Sequence, residues 1–317
     1  MNTMKQTDSI TILEGEPMSA HTSWRAGGIA KRFVQANSLA ALCEFIATLP
    51  EDEELVWLGL GSNTLIRDGG FKGTVIATQG VMTQLELIDE TTVCVGAGVP
   101  GAKLAKFCAK HDLSGAEFYA GIPGLVGGAL AMNAGAFGGE TWPLVVSVET
   151  LNRRGEIKKR DASEYRYGYR SIKNVADMDA VDEWFVSATL KLKKKHLADL
   201  TGNSIDIKQL LAKRAATQPT GVASCGSVFR NPEGGYAAQL IQDCGLKGKR
   251  IGGAVVSQKH ANFIINDDNA SAQDIESLVN HVQSEVKQKF GINLQHEVRI
   301  YGDAKPSTKR RRSLLDE

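Results

Sequence analysis

Two hydrophobic rhythms alternate along this chain, one of period two and one of period three to four, and together they predict strands and helices in mixed order. Leu39, Leu42, Phe45, Ile46 and Leu49 recur at helical spacing behind Ser38, a residue type that caps helix starts, and Pro50 ends the run. Residues 55–60 form a continuous apolar strand, with residues 31–35 and 74–78 as further strands. Short strands are expected at 85–88 and 92–95, then a helix from near Pro100 carrying Leu104, Phe107 and Cys108 on one face. Residues 145–152 and 156–160 read as a hairpin about Arg153-Arg154-Gly155, and 184–192 alternates well enough to close a sheet. Beyond Lys193–Lys195 the composition turns polar, which marks a domain boundary near Leu200. Helices are then expected at about 205–216 and 236–244, the second closed by Gly245, and strands at 251–257 and 261–266. The clearest stripe is Ile275, Leu278, Val279, Val282, Val286 and Phe290, bracketed by Ser271 and Gly291 and followed by a closing strand at 294–301. The first dozen residues and the basic tail 304–317 are polar and expected to be loose.

One stretch breaks both rhythms. Residues 120–139, AGIPGLVGGALAMNAGAFGG, are apolar yet hold seven glycines, Pro123 and Asn133, a composition that suits neither a regular helix nor a central strand. Such glycine density lets backbone N–H groups approach a ligand closely, so the stretch reads as a wall against a large cofactor. A helix-packing seam and a membrane hairpin are the alternatives. Glu117 and Glu140 bracket the run and leave too few strongly apolar residues for a bilayer core of roughly 30 Å.

A second glycine turn, Gly59-Leu-Gly61-Ser62-Asn63-Thr64-Leu65, follows directly on the strand at 55–60, the place where open α/β sheets bind ligands. Thr64 stands where a dinucleotide fingerprint needs its third glycine, and no Gly-Lys-Ser/Thr makes it a phosphate loop of the nucleotidase type. Its backbone amides still suit a pyrophosphate.

Composition narrows the partners. With 37 basic and 36 acidic side chains among 317 residues, no global field favours nucleic acid or an acidic membrane, so a small molecule is expected. Five cysteines, at 43, 94, 108, 225 and 244, show no paired spacing and no signal peptide precedes them, which fits a reducing cytoplasm. Nor do the six histidines show metal-ligand spacing, and no metal is expected.

Read in series, Arg25-Ala-Gly-Gly28, Leu58 through Leu65, Gly121-Ile-Pro-Gly-Leu-Val-Gly-Gly-Ala129, Asn133-Ala-Gly-Ala-Phe-Gly138, Tyr169-Arg-Ser171, Gly226-Ser-Val-Phe229 and Glu297-Val-Arg299 resemble the UDP-N-acetylenolpyruvoylglucosamine reductases, the MurB family of peptidoglycan precursor synthesis. The resemblance runs from His21 to Gly302 in order. It implies an α+β, FAD-binding fold of the vanillyl-alcohol-oxidase type with a separate substrate-binding domain: residues 1–80 as a first FAD subdomain, rejoined by a return strand at 294–303 near the strand at 55–60, 81–200 as a second, and 201–293 over the substrate. The short path from Tyr169 to Trp184 resembles the branch without a substrate-tyrosine loop, so no such tyrosine is assigned. A cytoplasmic enzyme, monomeric and not membrane-inserted, is expected.

The activity so implied is NADPH-dependent, FAD-mediated reduction of UDP-N-acetylglucosamine enolpyruvate to UDP-N-acetylmuramate, with hydride passing from flavin N5 to C3 and a proton to C2. Ser227 matches the family's proton donor, Arg170 the cation facing the developing enolate, and Glu297 a carboxylate that can hold that arginine or a water and assist the proton relay. Taken singly, each reads more readily as a turn serine, a solvated strand arginine or a surface glutamate than as a catalytic group; the serial resemblance reverses that order. For non-covalent FAD the resemblance implies Gly59, Gly61, Ser62, Asn63 and Leu65 at the pyrophosphate turn, and Gly121, Ile122, Pro123, Gly127, Gly128, Ala129, Asn133, Gly135 and Ala136 along the wall. For the sugar and diphosphate it implies Arg214, Gln218, Arg230 and Asn231, while His260-Ala-Asn262-Phe263 reads as scaffolding. Two rivals are an FAD oxidoreductase of the same fold acting on an alcohol or sugar lactone, commonly with covalently attached flavin, and a nucleotide-binding module without catalysis.

Overall fold

The computed structural model describes residues 4–6, 9–176, 182–195 and 207–305; the expected boundary near Leu200 and residues 306–317 of the expected tail lie outside them. Six α-helices stand among these residues: α1 (Leu39–Ala47), α2 (Gly101–Lys110), α3 (Val126–Met132), α4 (Ile207–Thr217), α5 (Ala237–Asp243) and α6 (Ala272–Phe290).

The N-terminal sheet has five strands in the order Met4–Gln6, Ile10–Pro17, Ile29–Ala36, Phe71–Ala77, Leu55–Leu58. Its last three are parallel, with Leu58 and Gln35 both in register with Ala77, so their carboxyl ends lie together where the chain enters the Gly59 turn. Residues 4–6 and 9–12, expected to be loose, are therefore ordered in strands or next to them. Met4–Gln6 and Ile10–Pro17 form an antiparallel hairpin, because Ile10, Ile12 and Leu13 pack against the sheet's apolar clusters. Ser38 caps α1, its hydroxyl accepting from the Ala41 N–H at 3.2 Å.

A second, antiparallel sheet orders Ile157–Asp161, Val145–Asn152, Glu183–Lys191, Thr92–Gly96 and Leu85–Leu87. One core joins α1 to both sheets through Leu42, Ile46, Ile76, Leu151 and Val186, and Trp57 of the first sheet stacks on Trp184 of the second at 5.0 Å. Another, around Leu104, Cys108, Val126, Leu130 and Trp142, seats α2 and α3. Pro100 proves to be the N-cap of α2 rather than its first helical residue.

Within 120–139 the chain does form a short helix, α3, where glycine and proline had suggested none. Gly127 permits it, since a Cβ there would lie 3.0 Å from the Ala97 Cβ, and the bare backbone instead donates to Ala97 O at 2.8 Å. Asn133 ends α3 in the left-handed region at φ 46°.

The C-terminal part packs α5 and α6 around a three-stranded sheet of Arg250–Ile251, Ala254–Val256 and Ile264–Asn266. The single strand expected at 251–257 is split into a hairpin, because Gly252 adopts φ 52° and turns the chain. α6 buries the expected stripe from Ile275 to Val286, while Phe290 at its end is exposed, and a reciprocal capping box between Ser271 and Asp274 starts it. This part is tied to the first sheet's loops. Trp24, wholly buried, donates its indole N–H to Ile264 O at 2.8 Å, and Asn266 donates to Trp24 O. Asp68 accepts from the N–H groups of Ala272 and Gln273 at the start of α6, while Arg67 grips Glu276 through Nε and Nη2. The return strand is only Arg299–Tyr301, and it pairs in parallel with Thr64–Ile66 rather than with Leu55–Leu58, whose inner edge Phe71–Ala77 already takes. No helix among the described residues is long and apolar enough to cross a membrane.

Candidate active site

A cavity of about 590 Å³ opens where the Gly59 turn, the wall at 121–136, the tip of a hairpin and the segment 218–227 converge. Its lining includes Gly59, Ser62, Asn63, Gly121, Ile122, Pro123, Gly128, Ala129, Gly135 and Ala136 on one side, and Arg170, Arg214, Gln218, Ser227 and Glu297 on the other. Residues from Gly59 to Glu297 thus share one space. The two glycine elements are tied directly, Ser62 Oγ donating to Pro123 O at 2.8 Å.

The Gly59 turn meets the demands of a phosphate group. Its backbone N–H groups from Gly59 through Asn63 hydrogen bond to none of the described residues, which leaves a run of donors for an anion. Gly61 holds the turn's shape: at φ 60°, a Cβ there would lie 2.1 Å from His21 O. Its carbonyl accepts from Ser23 N at 3.0 Å and from the Cys225 thiol at 3.4 Å. At Gly128 a Cβ would meet nothing within 4 Å, so this glycine keeps the cavity floor open. The residues therefore fit a large, flat, anionic cofactor.

Arg170 sits at the tip of the hairpin Tyr165–Gly168 and Ser171–Asn174, at φ 53°, a left-handed conformation that L side chains adopt at a cost. Its Nε donates to Glu297 Oε1 at 2.8 Å and its Nη2 to Gly135 O at 2.9 Å. Glu297 lies just before the return strand, its backbone N–H donating to Val228 O. Burial pushes its carboxyl above the usual range, against the pull of Arg170 and Arg230. Ser227 follows Gly226, which has φ 71°, and its hydroxyl hydrogen bonds to none of the described residues. The next two residues are clamped by Asn262: Val228 N donates to its backbone O, Phe229 N to its Oδ1, and its Nδ2 returns to Phe229 O at 2.8 Å. The scaffolding read at 260–263 has this concrete form.

Arg214 reaches the cavity from α4, its Nε donating to Gln218 Oε1 at 3.3 Å. It pairs with no carboxylate among the described residues, and burial alone lowers its pKa. Such a cation calls for an anion from outside the chain.

Six of the expected site residues do not line the cavity. Gly61 and Gly127 are backbone supports, and Leu65 lies wholly in the C-terminal core. Asn133 is buried behind the wall, accepting from Trp142 N and donating to Gly168 O, so it seats the Arg170 hairpin. Asn231 accepts from Ala237 N through Oδ1, and Arg230 stands close enough to lower the Glu297 pKa. Conversely, Trp57, Tyr119, residues 220–222, Ser224, Arg299 and Tyr301 line the cavity although no sequence signal singled them out, apart from Arg299 within Glu297-Val-Arg299. Cys225 also lines it; burial pushes its thiol up to about 12.

Comparison with known proteins agrees with this geometry. A profile of the UDP-N-acetylenolpyruvoylglucosamine reductase C-terminal domain matches residues 218–301, and one of an FAD binding domain matches residues 30–160. The chain is 51% identical over 300 residues to the UDP-N-acetylenolpyruvoylglucosamine reductase of Legionella pneumophila strain Philadelphia 1, covering 94% of this chain and 95% of that one. It is 47% identical over 319 residues to the protein of that name from Coxiella burnetii strain Dugway 5J108-111, with 93% and 98% covered. The crystal structure of UDP-N-acetylenolpyruvylglucosamine reductase (MurB) from Thermus caldophilus superposes with a TM-score of 0.75 at 28% identity, covering 95% of this chain and 100% of that one. Identity at this level across nearly the whole length, on an α+β fold with the FAD-binding architecture the motifs implied, leaves one assignment: the chain belongs to the UDP-N-acetylenolpyruvoylglucosamine reductase family.

Proposed function

We propose that Arg170, Ser227 and Glu297 carry out, in this chain, the reduction of UDP-N-acetylglucosamine enolpyruvate to UDP-N-acetylmuramate, the family's step in peptidoglycan precursor synthesis. The carrying observation is that all three line one cavity with the donor-rich Gly59 turn and the glycine wall. Held there, FAD would supply the hydride chemistry between NADPH and C3 of the enolpyruvyl group. The amides of Gly59 to Asn63 suit its pyrophosphate, and the wall at 121–136 suits its ribose and ring system.

What the chain's own groups do follows from the charge the substrate develops. Addition at C3 places negative charge at C2 and its carboxylate, which needs a fixed cation, a proton and a dry site. Arg170 supplies the cation. Its Nε and one Nη2 hydrogen are held by Glu297 and Gly135, so the remaining N–H donors are oriented rather than free to swing. Ser227 gives its hydroxyl proton to C2, and the Asn262 clamp beside it fixes the turn without consuming that hydroxyl. Glu297 keeps Arg170 in place and lowers the cost of its burial. Arg214, which pairs with no carboxylate among the described residues, answers the diphosphate, with Gln218 beside it.

Non-covalent FAD fits the cysteine chemistry: Cys225, in the cavity wall, is held as a neutral thiol. We assign residues 1–80 with 294–303, and 81–200, to two FAD-binding subdomains, and 201–293 to the substrate. A monomer is our further reading, and so is a cytoplasmic location, the latter supported by five free thiols. The visible spectrum tests the function, recorded anaerobically before NADPH, after NADPH and after the enolpyruvyl UDP-sugar. Yellow protein that bleaches and then recovers supports it; bleaching without recovery by that sugar rejects the substrate, and protein that FAD cannot reconstitute rejects the site.

A further inference from the structure

Tyr169 belongs to none of the roles above, yet its surroundings are unusual for a residue at a hairpin tip. The residue is 46% exposed, and it is not there to fill a core. The guanidinium carbon of Arg170 stands 5.0 Å from the ring centre, in cation–π range. The phenol oxygen accepts the backbone N–H of Asn231 at 3.2 Å. Among the described residues this is the hydrogen bond that joins the hairpin tip to the segment following Ser227.

The two sides of the site need such a tie. Arg170 is held at Glu297 and Gly135, but its left-handed turn conformation stores strain that relaxation of the hairpin would release. On the other side, Asn262 fixes Val228 and Phe229, and Arg230 N donates to Gln295 O, which leaves Asn231 as the next free point of that segment. Its side chain is spent on capping α5, so its main-chain N–H is what remains to anchor it.

We infer that Tyr169 is a positioning residue for reduction of the UDP-sugar: through its hydroxyl on Asn231 and its ring against Arg170, it sets the spacing between the cation and the Ser227 segment. The inference rests on the function proposed above. Tyr169 makes no contact with the Gly59 turn or the glycine wall among the described hydrogen bonds, so reduction of bound flavin by NADPH does not depend on it.

Rapid mixing of the FAD-loaded protein separates the steps. The protein is first reduced with NADPH and then, separately, reoxidised by UDP-N-acetylglucosamine enolpyruvate, in wild type, Tyr169→Phe and Tyr169→Leu. Phe keeps the ring and loses the hydroxyl; the concentration of UDP-sugar needed for half-maximal reoxidation should rise about fivefold, the worth of one ordinary hydrogen bond, with the limiting rate within twofold. Leu also loses the ring, and the limiting reoxidation rate should fall as well, by about fivefold to tenfold. Reduction by NADPH should stay within twofold in both. Unchanged reoxidation in Tyr169→Phe, or equal loss in both half-reactions, would overturn the inference while wild-type turnover keeps the proposed function. If the wild type itself is not reoxidised by the UDP-sugar, the proposed function falls and takes this inference with it.

Discussion

Arg170 and Glu297, separated by 127 positions in the chain, meet at 2.8 Å with most of both side chains out of water. Neither is placed by its own strand: the arginine occupies a hairpin tip and the glutamate a loop before the return strand. The pair therefore reports whether the N-terminal and C-terminal parts are correctly joined. Replacing Arg170 by Lys keeps the charge but loses the fork that reaches Glu297 and Gly135 together. Reoxidation by the UDP-sugar should slow by about 100-fold, the scale of losing one oriented donor to a developing oxyanion. Flavin reduction by NADPH should persist, and single-turnover absorbance at each step measures both.

Glu297 also sets a pH dependence. Its folded pKa is raised, burial being the largest cause, so it takes up its proton at a higher pH than an ordinary carboxyl. Ionised Glu297 is what holds Arg170, and the reoxidation rate should fall on the acid side as pH drops through that raised value. Glu297→Gln should lack this limb. For stability the sign is opposite. A raised carboxyl pKa contributes stability fully below the unfolded value and loses it as pH rises through the folded value. The melting temperature of Glu297→Gln relative to wild type should therefore climb from acid toward neutral pH, whatever its offset; a constant difference would place the raised pKa elsewhere.

Ser227→Ala isolates the proton. The Asn262 clamp acts on Val228 and Phe229, not on the serine hydroxyl, so the variant should fold and be reduced by NADPH as wild type is. Reoxidation should slow by about 100- to 10,000-fold, the usual range for a positioned proton donor. Equal losses in the two half-reactions would remove Ser227 from this role.

The long periodic segments were legible because one physical effect dominates them. The α6 stripe from Ile275 to Val286 is buried as its spacing requires, and Ser38 caps α1. What misled was backbone chemistry that depends on a distant neighbour. Gly127 and Gly128 look like helix breakers, yet Ala97 accepts the close approach that makes α3 possible. Trp24, just before Arg25-Ala-Gly-Gly28, is the anchor of the C-terminal core, which no local pattern announces. The same holds at the site: Arg170, Ser227 and Glu297 came from serial motif resemblance, whereas Tyr119, Trp57, residues 220–222 and Ser224 reach the cavity through tertiary folding alone.

Two glycines that look alike in the sequence should fail differently. At Gly61 an alanine would need φ 60° and would press its methyl to 2.1 Å from His21 O, backbone that is itself fixed by the turn at Met18. Gly61→Ala should therefore lower the melting temperature even without cofactor, with a cost of at least about 1 kcal/mol from the backbone conformation alone. Gly128 has ordinary helical geometry and open space where its Cβ would go, so Gly128→Ala should leave the cofactor-free protein as stable or gain up to about 1 kcal/mol of helix propensity. The new methyl projects into the cavity floor, however, and FAD affinity should fall. Thermal melts with and without FAD, together with titration of FAD followed by its fluorescence, separate the two outcomes. An alanine at 128 that binds FAD as wild type does would mean that the cofactor does not lie against this face of α3.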